Sequence, residues 1–136
     1  MIKGANLGKE LVVIAENKIG VLANMSKVLA DHGINIEGVA GYATDKNEAK
    51  IMLTVGELVR AKEALQKAGY KNIKEHEIVI VDLENKPGAL KSMTSALAGA
   101  NIDINYTYGT VCSGDCPARL ILATSNNEKA VVLFKK

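Results

Sequence analysis

Apolar and polar positions alternate with two different periods along the chain, and each change of period marks a predicted element. A β-branched run at 10–15 predicts a strand. From Val21 to His32 apolar residues fall at helical spacing, and Gly33 is placed to end that helix in a left-handed conformation. Two predicted strands follow at 35–42 and 49–55, then a helix at 58–68 that a glycine closes, and then a further strand at 71–75. The order β-α-β-β-α-β is the split βαβ arrangement of ferredoxin-like folds.

The same pattern then returns 68 residues later. The pentapeptide ENKIG at 16–20 reappears as ENKPG at 84–88, each time after a β-branched run and before a helical pattern. The copies align without a gap from 11–41 onto 79–109. Asn101 stands where the first copy has Gly33, and Asn is the non-glycine residue that best tolerates left-handed backbone. The sequence therefore predicts an α+β protein built from two ferredoxin-like βαββαβ modules in tandem.

The predicted modules are residues 1–76 and 77–136. At about 65 aligned residues each, they lie near the lower limit for an independent core, so we expect the halves to need each other. The second copy ends with a predicted helix at 126–135 and lacks an obvious final strand. That sheet edge is covered by the leading residues 1–10, covered by a partner chain, or left open for pairing with another subunit.

Composition and charge narrow the possible partners. Hydrophobic residues make up 48% and charged residues 24% of the 136-residue chain, as in an ordinary globular protein. No stretch is apolar enough to span a bilayer, and residues 1–9 lack the apolar core of a secretory signal. A net charge of +2 is too small to indicate nucleic-acid binding. We therefore expect a cytoplasmic protein with neither a membrane nor a nucleic-acid partner.

The cysteines Cys112 and Cys116 lie in one short loop that also holds the one-residue insertion between the copies. They permit a local disulfide, half of a metal site or two reduced thiols, of which we favour the last. A zinc site would need two more ligands, and His32 and His76 have ligand spacing to nothing. We expect no metal and no cofactor.

The repeated loops carry the candidate binding chemistry. A strand followed by a glycine turn and a helix start exposes unpaired backbone N–H groups, which suit a carboxylate or a phosphate. Gly20 and Gly88 stand where a side chain would block that approach, and Asn17 and Asn85 each offer a donor and an acceptor. The alternative is that Asn, Gly and Pro are simply good turn formers.

These loops resemble those of the ACT domain, the regulatory amino-acid-binding module. The resemblance lies in ENKIG followed by VL, in ENKPG followed by AL, and in the strand openings GINI at 33–36 and NIDI at 101–104. It implies ligand binding at an interface between paired modules. The implied first site is lined by Asn17, Ile19, Gly20, Val21 and Leu22, and its pseudo-symmetric equivalent by Asn85, Pro87, Gly88, Ala89 and Leu90. Backbone contacts would come from Asn35, Ile36, Asp103 and Ile104. Ile19 departs from the commoner family proline seen at Pro87, so the two sites are expected to be unequal.

The sequence offers little for catalysis, because the serines at 92, 95 and 113 have no histidine near them in sequence. We predict a non-catalytic regulatory or sensor protein, homodimeric, that binds a free amino acid between ACT modules and acts on an amino-acid metabolic enzyme. One alternative is a ligand-independent regulatory subunit docking on an enzyme such as acetolactate synthase, whose small subunit has a similar loop. The other is an RNA-binding module, which would use Tyr106 and Tyr108 on one strand face.

Overall fold

The computed structural model describes residues 1–110 and 116–135, which form six strands and four helices. In chain order these are β1 (Ile2–Glu16), α1 (Val21–Asp31), β2 (Ile36–Ala43), β3 (Glu48–Val55), α2 (Leu58–Lys67), β4 (Asn72–Leu83), α3 (Ala89–Gly99), β5 (Ile104–Thr110), β6 (Ala118–Thr124) and α4 (Asn127–Phe134). Strand β1 pairs antiparallel with β3, β3 with β2, β4 with β6, and β6 with β5. The predicted α+β class is confirmed.

The described residues divide into two compact units, one of 9–76 and one of 1–8 together with 77–136. The sequence pattern placed its boundary after residue 76 and assigned the first eight residues to the first module. Strands β1 and β4 are long enough to contribute to both units.

The unit of 9–76 has the strand order β2-β3-β1-β4 and carries α1 and α2. Its register pairs Leu11 with Leu53 and Val13 with Ile51, so these four side chains lie on one face of the sheet. They pack with Met25, Leu29 and Leu65 from the helices in a single core cluster. The predicted order β-α-β-β-α-β holds in this unit.

The second unit has the strand order β1-β4-β6-β5 and carries α3 and α4. Its fourth strand comes from the leading residues: the Glu84 N–H donates to the Met1 carbonyl at 2.8 Å, and Gly8 lies against Ile78 and Ile80. Of the three alternatives for the open edge, coverage by the leading residues is the one found. Ala5 is buried in the core of this unit, and Ile2 packs against it.

Two strands are longer than the sequence pattern predicts. Strand β1 begins at Ile2 rather than at residue 10. The pattern does not predict this first part, because residues 2–9 have few β-branched residues and contain two glycines, and the strand forms there through pairing with its neighbours. Strand β4 runs unbroken through 72–83, where the pattern gave separate strands at 71–75 and 78–81.

Three helices end in the same hydrogen-bond pattern, the Schellman motif. After α1, Gly33 (φ 69°) donates to Ala30 and Ile34 donates to Leu29. Gly69 (φ 105°) and Asn101 (φ 58°) hold the same position after α2 and α3. The left-handed conformations predicted at Gly33 and Asn101 are confirmed.

Cys116 is disulfide-bonded, which contradicts the reduced thiols favoured from the sequence. The rest of the prediction for this loop falls on Cys112, which lies outside the described residues. No helix in the described part of the chain is long and apolar enough to cross a membrane.

Candidate ligand-binding loops

The two pentapeptide loops have the same backbone geometry. Gly20 (φ 86°) and Gly88 (φ 89°) are the N-caps of α1 and α3, and neither helix start has a side-chain cap. Val21 N–H donates to the Lys18 carbonyl, and Ala89 N–H to the Lys86 carbonyl, both at 3.3 Å. The N–H groups of the two residues that follow have no acceptor within the helix, since the first turn of a helix has no preceding carbonyl groups to bond. Each loop therefore presents two backbone donors and the positive end of a helix dipole.

Space is open above both glycines. A Cβ atom at Gly20 would meet nothing within 4 Å, and one at Gly88 would meet only the Met1 side chain, at 3.6 Å. The left-handed backbone is the reason that glycine stands at both positions, since other L-residues are strained there.

Asn17 has a structural connection that the sequence did not reveal. Its Nδ2 group donates to the carbonyls of Asp45 and Lys46, at 3.3 Å each, and its backbone N–H donates to the Asn47 carbonyl at 2.9 Å. These residues form the turn between β2 and β3. Asn17 thus connects the first loop to the neighbouring hairpin. Of its side-chain polar atoms, only Oδ1 is left to accept a hydrogen bond from a ligand.

Apolar side chains at these loops face solvent. Ile19 is fully exposed, and Leu22 and Leu90 are 42% and 55% exposed. Val21 packs against the core of its unit, and Ala89 is buried. Pro87 is exposed in the second loop. Exposed apolar residues beside free backbone donors are typical of a surface that binds a ligand or another protein molecule.

The predicted strand-start residues lie at the far end of each sheet. Glu16 pairs with Glu48, whereas Ile36 pairs with Val55, so seven steps of strand separate the loop end from the start of β2, about 23 Å. Asp103 likewise exchanges hydrogen bonds with Ser125, remote from the Leu83–Ala118 end of β4 and β6. Ile36 and Ile104 pack against the cores, and Asn35 is exposed. Neither described unit by itself brings these four residues to its own loop.

The second loop borders a cavity of about 350 Å³. Asn85, Ala89 and Leu90 line it, together with Leu83, Glu84, Lys86, Gly109, Thr110, Ala118 and Leu120. Three of the predicted residues of this site therefore share one cavity, while Pro87 and Gly88 do not line it. Lys86 donates a hydrogen bond to Glu84 at 2.7 Å, which together with its charge holds the pKa of the Glu84 carboxyl below its usual value.

The first loop borders a different cavity, of about 640 Å³, on the side of the α2–β4 connection. Ile19, Gly20 and Val21 line it, as predicted, and so do Asn24, Tyr70 and Lys71, which the repeated motif does not include. The Tyr70 hydroxyl donates to Asn24 Oδ1, and burial raises the pKa of this phenol. The available signal was positional: Tyr70 follows Gly69 where buried isoleucines follow Gly33 and Asn101.

Comparison with known proteins agrees with this geometry. Residues 11–70 match the family model described as the AHAS small subunit-like ACT domain. A comparison with curated proteins gives no significant match.

Solved structures share the fold over nearly the whole chain. Protein BT0572 from Bacteroides thetaiotaomicron is 25% identical with a TM-score of 0.86, covering 95% of this chain and 87% of that one. The ligand-free regulatory subunit of aspartate kinase from Thermus thermophilus is 17% identical with a TM-score of 0.69, covering 98% and 95%. The corresponding subunit from Thermus flavus is 16% identical with a TM-score of 0.62 over the same shares.

The strand order, the glycine-capped loop and the family match concern the same segment of the chain. Over residues 11–70 the chain is therefore similar to the AHAS small subunit-like ACT domain.

Proposed function

We propose that this protein is a non-catalytic regulatory protein that binds a free amino acid at its pentapeptide loops, and that its second unit is a further ACT module in tandem with the first. The repeated glycine-capped loop, with nearly the same φ angle and the same hydrogen bonds at the helix start in both copies, is the observation that carries the proposal. Aspartate kinase subunits of similar fold are described as regulatory, which agrees with such a role.

The second loop has the chemistry that a small zwitterion requires. Backbone N–H groups at the start of α3 would receive the carboxylate, and the negatively charged Glu84 carboxylate would attract the ammonium group. Leu83, Ala89 and Leu90 provide an apolar wall. A cavity of about 350 Å³ lies at the lower end of the range for ligand pockets, so we expect an aliphatic amino acid.

The predicted sites need a facing module to be complete. The strand-start residues Asn35, Ile36, Asp103 and Ile104 lie too far from the loop of their own unit to share a ligand with it. We propose that they contact a ligand held by a loop of another module, as in a homodimer. Solvent-facing Ile19, Leu22 and Leu90 would then be covered on assembly. A ligand bound across such an interface favours one arrangement of the modules, which is the means of signalling to a metabolic enzyme.

No observation favours the RNA alternative over this one. Tyr106 and Tyr108 do lie on one face of β5, opposite Ala123 and Ile121, as the alternative requires. Both rings are partly buried, however, whereas base stacking needs an open aromatic face.

The test is a thermal-shift screen of the full chain against the twenty amino acids, followed by matched variants. A ligand at about 100 times its Kd adds roughly 2.7 kcal/mol to stability, and we expect a rise in Tm with one or a few aliphatic amino acids. Leu90→Glu, at an exposed position in the first turn of α3, should abolish the rise. Leu133→Glu, at a position on α4 of the same unit that is 41% exposed, should retain it. No rise with any amino acid, or a rise that survives in Leu90→Glu, would sink the proposal.

A further inference from the structure

We infer that Met1 is a displaceable cover of the second pentapeptide loop, so that a ligand binding there moves the leading end of strand β1. This inference rests on the proposed function and concerns the regulation of that same site. Gly20 and Gly88 are equivalent in the repeat, but the space beyond them differs. A Cβ atom at Gly88 would meet Met1 Cε at 3.6 Å, whereas one at Gly20 would meet nothing within 4 Å. The second loop is therefore covered by a side chain of its own unit at a point where the first loop is open.

Met1 is held in this place by the backbone next to the loop. The Glu84 N–H donates to the Met1 carbonyl at 2.8 Å, which extends the contact of the leading residues with β4 up to the loop. Ala5 is buried in the core of the same unit and Ile2 packs against it, so the backbone that follows Met1 is fixed. Met1 itself is 39% exposed. A partly exposed residue at the end of a strand opens more readily than the core that anchors it.

Both oxygens of the Glu84 carboxylate already have a cationic neighbour. Lys86 Nζ lies 2.7 Å from Oε2, and the Met1 ammonium nitrogen lies 3.8 Å from Oε1. The proposed ligand presents its own ammonium group to this carboxylate and must compete with one of the two. The Met1 contact is the longer of the two and therefore the weaker. Displacement of Met1 opens the carboxylate and the face of Gly88 in one step.

Displacement of Met1 gives the bound ligand an effect on the fold. The leading residues supply the fourth strand of this unit, and the hydrogen bond from Glu84 to Met1 is the one beside the loop. A ligand that binds only when Met1 is released shifts the leading residues toward the released state. The apparent affinity is then lowered by the fraction of molecules in which the loop is still covered. Removing the Met1 side chain should therefore strengthen ligand binding.

The test is an NMR titration of the full chain with ¹³C-labelled methionine methyl groups and a ¹⁵N-labelled backbone. The chain has four methionines, and the three others are buried, so the Met1 methyl group is a separate reporter. Without ligand we expect a nuclear Overhauser effect between the Met1 methyl group and Gly88. The probes are L-alanine, L-valine, L-leucine and L-isoleucine, each alone. The amino acid that binds should shift the Leu90 amide and the Met1 methyl group with the same Kd and remove the Overhauser effect.

Two matched variants measure what the cover costs the ligand. Met1→Ala, released from a cleavable fusion so that alanine is the first residue, should bind the same amino acid about threefold tighter, because fewer molecules keep the loop covered. The control is Leu7→Ala, which removes an apolar side chain of similar exposure, 44%, from the same strand. It should bind as the unaltered chain does.

The outcomes separate this inference from the proposed function. An amino acid that shifts the Leu90 amide while the Met1 methyl group stays unchanged would overturn the inference and leave the proposed function standing. The same holds if the Overhauser effect to Gly88 is absent without ligand, or if Met1→Ala binds no tighter than Leu7→Ala. Binding to Met1→Ala but not to the unaltered chain would support a tightly held cover. If none of the amino acids binds either chain, the proposed function fails, and this inference with it.

Discussion

Two glycines at equivalent positions of the repeat predict opposite responses to the same substitution. Gly41 on β2 and Gly109 on β5 align at the offset of 68 residues. Gly41 pairs with Ile51 on β3, and Gly109 pairs with Leu120 on β6. Replacing each by alanine adds one methyl group to equivalent points of the two units. The surroundings of that methyl group decide the outcome.

At Gly41 the added Cβ would lie 3.4 Å from the Ile51 side chain and 3.7 Å from the Lys50 carbonyl oxygen, which is ordinary contact. At Gly109 it would overlap the Arg119 carbonyl oxygen and lie 3.0 Å from the Leu120 Cα. Backbone atoms cannot rotate away as a side chain can, so β5 or β6 must shift. Gly109→Ala should cost about 2 kcal/mol, within the range for overpacking. Gly41→Ala should be neutral or stabilising by about 0.5 kcal/mol, because alanine restricts the unfolded chain.

Urea unfolding followed by circular dichroism measures the difference. With a slope of about 2 kcal/mol per molar urea, the two variants should differ by roughly 1.2 M in midpoint, Gly109→Ala being the lower. Equal midpoints would refute the reasoning, since they would mean that β5 approaches β6 no more closely at Gly109 than β2 approaches β3 at Gly41. A lower midpoint for Gly41→Ala alone would refute it as well.

Three further predictions concern packing, backbone strain and charge. Leu29→Ala, at a fully buried core position, should cost about 2–5 kcal/mol in chemical unfolding, whereas Leu22→Ala on the same helix should stay within about 0.5 kcal/mol; similar losses would contradict the assigned burial. Asn101→Gly should raise stability by about 0.5 kcal/mol, because glycine adopts the positive φ of 58° without strain, and a lower Tm would argue against the left-handed cap. The Arg119 hydrogen bond to Asp82, at 2.8 Å, lowers the pKa of that carboxyl in the folded protein, so its stabilisation is present above the ordinary value of 3.8 and is lost as pH falls through the lowered pKa. The Tm of Asp82→Asn should therefore fall less than that of the unaltered protein between neutral and strongly acidic pH. An equal fall in both would mean that Asp82 does not contribute to the pH dependence of stability.

The sequence by itself determined the local elements and the equivalence of the two loops. Helical spacing and a glycine or asparagine stop located α1 and α3, and the repeated pentapeptide identified Gly20 and Gly88 as equivalent loop positions. These features depend on neighbours a few residues away, so periodicity and backbone preference are enough to reveal them.

Only the tertiary structure decided which residues complete each unit and each cavity. Residues 2–8 carry too weak a strand pattern to be recognised, and their place beside β4 depends on contacts with residues seventy or more positions away. Nothing in the sequence around Tyr70 indicates that its hydroxyl bonds Asn24, and nothing around Asn17 indicates that it bonds the β2–β3 turn. Such contacts join segments far apart in sequence, and a local pattern holds no information about which distant segment will be there.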